Sequence, residues 1–116
     1  MALTAQSQRA WLNLTIEESV DPEREIIDPH HHLWRTGGLS SYVLKDLWEE
    51  TDSGHNIVKT VFMECGAEYR KTGPQHLRAV GETEFIRDIV LASQRQGKAE
   101  IAGIIGHADL DQDYSL

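Results

Sequence analysis

Cysteine is nearly absent from this sequence. Cys65 stands alone among 116 residues, which excludes an internal disulfide and a cysteine-rich zinc site. A single thiol closing an apolar run reads as a small packing residue sooner than as a nucleophile. Long hydrophobic runs are missing too. None approaches the ~20 residues that span a bilayer, and the first 14 residues hold no continuous apolar stretch of the signal-peptide kind. Positive charge is scarce, with 11 Lys and Arg against 19 Asp and Glu. The net charge of -8 leaves no basic stripe for a nucleic-acid groove and no attraction to anionic lipid. The expectation is a cytoplasmic protein with no nucleic-acid and no membrane partner. Internal repeats and low-complexity tracts are also lacking. What remains, 40% hydrophobic and 26% charged, is the composition of one small globular domain.

The chain alternates between two periodicities. Residues 5–14 carry a partial helical stripe of Ala10, Trp11 and Leu14. The acidic stretch that follows contains Asp21-Pro22, and a residue before proline is pushed towards extended backbone. Residues 1–25 therefore read as a helix and an extended arm preceding the fold. A first strand is expected over 25–32, then a loop signal at Arg35-Thr36-Gly37-Gly38 and a helix over 42–51, with Ser40 or Ser41 as its cap. Asp52-Ser53-Gly54 stops that helix. Residues 56–65 form a nearly continuous apolar run that suits a parallel strand covered on both faces. The connection over 66–79 is long and polar. A second helix is expected over 81–96, with Phe85, Ile86, Ile89 and Val90 inward and Glu82 and Glu84 complementing the dipole of its first turn. A third strand follows over 100–105. Strand, helix, strand, helix, strand implies parallel pairing through right-handed crossovers.

Parallel α/β folds gather their chemistry at the carboxyl ends of strands. Those ends here are His30 and His32, then Glu64, then His107 and Asp109. The stretch Asp28-Pro29-His30-His31-His32-Leu33-Trp34 is the most informative in the chain. On a strand, His30 and His32 share one side and can present two ring nitrogens to one metal ion, whereas His31 points away. The plainer reading is a polar strand terminus that holds three histidines by chance. Asp28 lies on the same side as the pair, one pleat deeper, placed to orient a ligand. Glu64 reads equally as a substrate-facing carboxylate or as the partner of a nearby arginine. His107 shares parity with Ile105 and Asp109. Trp48 reads as packing, and His55 and His76 lie in connections and receive no role.

The motif at residues 28–34 resembles the Asp-x-His-x-His-hydrophobic-Trp opening of the amidohydrolase-related branch of the amidohydrolase superfamily. Residues 57–65 and the segment IAGIIGHADL resemble that family's second and third strands, and the lead-in around Gln8-Arg9-Ala10-Trp11-Leu12 is similar to members of the branch. The resemblance implies the first three βα units of a (β/α)8 TIM barrel, over residues 26–116. It implies a metal-dependent hydrolase of lactone, ester or amide bonds, or in some relatives a decarboxylase. His30 and His32 would hold a divalent ion, zinc or manganese, and Glu64 and His107 are the catalytic candidates. Some lactonases of the branch work without a tightly bound metal, and for such a relative no cofactor is expected. A whole barrel takes about 250 residues, so the chain reads as the N-terminal piece of a hydrolase. The competing reading is a catalytically inert partial barrel. Its open sheet edges would favour association, including homo-oligomers. Either way the implied ligand is a small-molecule substrate.

Overall fold

The computed structural model describes residues 4–35 and 40–111. The loop signal at 36–38 and the last five residues of the polar tail lie outside that range. Six elements appear in chain order: α1 (Ala5–Leu12), β1 (Glu25–His31), α2 (Leu44–Thr51), β2 (Asn56–Met63), α3 (Val80–Ser93) and β3 (Glu100–Ile105), with a 3-10 turn at Gln75–Leu77 before α3. The three strands form one parallel sheet in the order β1-β2-β3. No described helix is long and apolar enough to cross a membrane.

The sheet corrects the barrel expectation. It is an open, three-stranded sheet, and among the described residues neither outer edge is paired. The α/β class and the parallel strands hold, whereas the partial (β/α)8 barrel does not. The reason is physical. Alternating strand and helix periods specify parallel pairing and crossover, and open and closed sheets share that pattern. Closure needs further strands, tilted and staggered to meet the first.

Both helices that follow strands cover the same face. Leu47 of α2 and Phe85 and Ile86 of α3 join Leu33, Phe62 and Ile101 in one buried cluster, with Tyr42, Ile89 and Val90 packed against it. The opposite face carries Ile27, level with Lys59, and Ile105, level with Met63. Ile27 is 59% and Ile105 46% exposed. Burial of β2 on both faces, expected from its apolar run, is thus realised on one.

Helix α2 starts at Leu44, two residues later than the expected 42–51. Its N-cap is Val43, whose backbone N–H donates to Asp46 at 2.8 Å. A carboxylate at the third helical position satisfies an end N–H as a capping serine would. Trp48 donates from its indole to Ala99 O at 2.9 Å, tying α2 to the approach of β3. Ser93, fully buried at the end of α3, donates to Val90 O at 2.8 Å and accepts from Ile101 N at 3.1 Å, which pins α3 to β3. The N-terminal arm touches the fold through Ser19, which donates to Gly54 O, and through Glu23 O, which accepts from Asn56 Nδ2 at 3.1 Å. Its apolar side chains Trp11, Leu14 and Ile16 remain exposed.

At Gly81 two backbone segments approach closely. A Cβ there would stand 2.6 Å from Arg70 N and 2.7 Å from Glu68 O. The loop leaving β2 therefore crosses the start of α3 at backbone distance, and only a residue without a side chain lets it pass.

Candidate metal-binding site

The carboxyl ends of β1, β2 and β3 lie along one edge of the sheet, because the strands are parallel and sequentially ordered. At that edge His30 Nε2 and His32 Nε2 are 3.2 Å apart, with their rings edge to face. Two nitrogens held at ~2.0–2.1 Å by one tetrahedral ion lie ~3.3 Å apart, so the observed spacing matches a shared cation. His32 Nδ1 is 2.8 Å from Met63 O. A carbonyl only accepts, so Nδ1 carries the proton and Nε2 presents its lone pair to His30. Fixing the tautomer through the second ring nitrogen is how metal-ligating histidines are oriented. Without a cation, the pair holds together when His30 Nε2–H donates to His32.

Backbone geometry sets this up. Asp28 Oδ1 accepts from His30 N at 3.0 Å, a local turn that fixes the chain entering the pair. The pairing of β1 with β2 is irregular here: Asp28 sits level with Thr60 and His31 level with Phe62, three steps against two. Strict alternation thus fails between them. Asp28 acts on the backbone of the pair rather than from one pleat below it. A cavity of about 370 Å³ adjoins the site, bordered by Asp28, His30, His32, Tyr42 and Glu50.

His31 points away from the pair, as expected, and into the core. It is 8% exposed, meets the Phe62 ring edge to face at 5.8 Å, and finds no partner for either ring nitrogen. Burial holds its pKa below the ordinary value of 6.5, against the smaller upward pull of Asp28. His31 is therefore a neutral packing residue.

Glu64 and His107 meet at the ends of β2 and β3. Glu64 Oε1 lies 3.7 Å from His107 Nδ1, and both side chains are partly exposed. The Glu64 backbone donates to Ile105 O at 2.9 Å, which extends the β2–β3 ladder by one residue and places the two side by side. The contact Glu64 makes is thus with a histidine, and Arg70, the next arginine along the chain, binds Glu84. At 3.7 Å the Glu64–His107 contact is longer than a hydrogen bond and is an ion pair only when the imidazole is protonated. Among the described residues no three His, Cys, Asp or Glu side chains converge on one point.

The buried acid Glu82 was expected only as a helix-dipole partner, yet it is 1% exposed and organises the loop after β2. Its Oε1 accepts from Cys65 N at 3.0 Å and Ala67 N at 2.8 Å, while Oε2 is buried without a partner. The signal was available in the sequence: residues 82, 85, 86 and 89 share one helical face. Cys65 is exposed as a residue, but its sulfur lies 3.5 Å from Glu82 Oε1. Desolvation and that carboxylate push the thiol pKa up, which keeps it protonated and poorly nucleophilic. No protein-family model, curated protein or solved structure matches the chain.

Proposed function

We propose that the chain carries the histidine half of a divalent-metal site in a hydrolase of the amidohydrolase-related type, with lactones or esters favoured over amides as substrates. The observation that carries this reading is the 3.2 Å approach of His30 Nε2 to His32 Nε2, with His32 locked in the metal-binding tautomer by Met63 O. The Asp28 to Trp34 motif supports it from the sequence side. A bound zinc or manganese ion supplies a water of lowered pKa and polarises the scissile carbonyl. The chain's own residues do the rest. His30 and His32 would hold the ion, the Asp28 turn and Met63 O keep their rings aimed, and Glu64 and His107, side by side at the ends of β2 and β3, would be the candidate catalytic groups.

Calorimetric titration of the protein with zinc and manganese tests the assignment. Saturable binding to one site is expected, weakened at least about 100-fold in His30→Ala/His32→Ala. Micromolar binding that survives the double substitution would sink the metal reading. A second reading, a fold without catalytic activity, is favoured by the lack of a third converging donor among the described residues. Lactone hydrolysis by the metal-loaded protein, absent from the double variant, excludes it.

A further inference from the structure

We propose that the cavity between the carboxyl end of β1 and helix α2 binds an organic ammonium, held by the aromatic wall of Trp34 and Tyr42 and by the charge of Asp28 and Glu50. The cavity holds about 370 Å³, within the ~300–1,000 Å³ of ordinary small-molecule sites. Its lining includes those four residues together with His31, and among the described residues it contains no lysine or arginine. A concavity walled by one sign of charge concentrates the opposite sign.

The aromatic wall is built in advance. Trp34 and Tyr42 exchange backbone hydrogen bonds of 2.9 Å in both directions, and their rings stack at 5.4 Å between centroids. The Trp34 indole donates to Ser40 O at 2.5 Å, and the Tyr42 hydroxyl donates to Glu50 Oε2 at 2.7 Å. Both rings therefore keep their orientation without a ligand, and Glu50 is fixed beside them. Aromatic faces attract cations through the ring quadrupole, and this is how quaternary ammonium groups are recognised. Such a group has no N–H, so it needs charge and ring faces rather than a free lone pair on either carboxylate. Asp28 keeps its bond from His30 N, and Glu50 its bond from Tyr42.

The field at the wall is negative. Burial raises the pKa of Tyr42 above its ordinary 10.0, and the bond to Glu50 with the charges of Glu50, Asp46 and Asp28 raises it further. The three carboxylates that oppose loss of that proton also favour a cation. His31 marks the site independently: it borders the cavity, is 8% exposed, and neither ring nitrogen has a partner. Its unmet nitrogens favour a ligand that carries an oxygen beside the ammonium. The cavity also borders His30 and His32. What rests on the hydrolase reading is the purpose of the site, to hold the ammonium end of an ester whose carbonyl faces the histidine pair. Binding itself needs no metal.

The test is an NMR titration of the metal-free full chain at low salt, following amide and indole shifts, with choline and with its neutral carbon isostere 3,3-dimethyl-1-butanol. Shifts are expected at Trp34, Tyr42 and Glu50, with choline at least about fivefold tighter, the gain of a cation over an aromatic wall. Glu50→Gln, which keeps an acceptor for Tyr42, should weaken choline about two- to fivefold and leave the isostere unchanged, the range of an exposed charge pair. Trp34→Leu should weaken choline about fivefold. Equal affinity for the two ligands, shifts confined to other surfaces, or choline binding untouched by Glu50→Gln would overturn the proposal, also if Trp34→Leu fails to fold. His30→Ala/His32→Ala should keep the preference for choline, and Glu50→Gln should leave zinc binding intact. Failure of the metal pair and failure of this cavity are therefore read separately.

Discussion

The two faces of the sheet differ more than its three strands do. On the helix-covered face Leu33, Phe62 and Ile101 are almost fully buried, and even a histidine and a threonine, His31 and Thr60, are taken in without hydrogen-bond partners for their polar atoms. On the open face Ile27 and Ile105 stay about half exposed. One face supplies the stability, and it tolerates unsatisfied polar groups because the surrounding packing outweighs them. The candidate chemistry lies at the edge where the two faces meet. There His30 and His32 remain accessible while His31, between them, is sunk into the core.

The largest test of that contrast is a pair of truncations. Phe62→Ala should cost about 3–5 kcal/mol through the cavity it leaves. Ile27→Thr, an apolar deletion on the open face, should stay within about 0.5 kcal/mol. Urea unfolding of both variants checks the ratio, and equal losses would mean the open face is covered in solution. Next in size is Glu82→Ala. It strips the acceptor from two backbone N–H groups and should cost about 2–4 kcal/mol, while Glu82→Gln, which keeps an acceptor oxygen, should lose less. The smallest effect has the opposite sign. His31→Leu removes two buried orphan nitrogens and should stabilise by about 1 kcal/mol.

The pH dependence of His31 sharpens the same point. Its folded-state pKa lies below the unfolded value of 6.5, so the unfolded chain binds the extra proton. Its contribution is intact above pH 6.5 and is lost as pH falls below that value. Stability measured from pH 7.5 down to 5 should therefore decline in the native chain and flatten in His31→Leu. A decline of equal steepness in both would assign the acid sensitivity to other groups.

Much of this architecture was legible in the residues. The period-2 and period-3.6 stretches place β1, α2, β2, α3 and β3 within a few positions of where they fold, and β3 falls over 100–105 as expected. The divergence of His31 from His30 and His32 also follows from strand alternation. Three things did not follow. Sheet closure is a property of strand number and stagger, which local pattern does not encode. The irregular pairing between Asp28 and His31 shifts register by one residue, which period-2 alternation does not encode, although Pro29, a residue that strands tolerate at bulges, stands inside it. Glu82 was expected only as a dipole partner of the first turn of α3, although its helical face, shared with Phe85, Ile86 and Ile89, pointed inward.

Strand order has a consequence for how the molecule is made. Each strand pairs with the one preceding it in the chain, and β2 occupies the centre. During synthesis β1 therefore waits only for β2, and β2 for β3, so the sheet can be laid down from the ribosome outward without threading or insertion. At ~5–20 residues per second a newly emerged strand stays unpaired for seconds at most. A permuted gene that delivered β2 last would need the same contacts but would leave two apolar strands waiting for their shared neighbour.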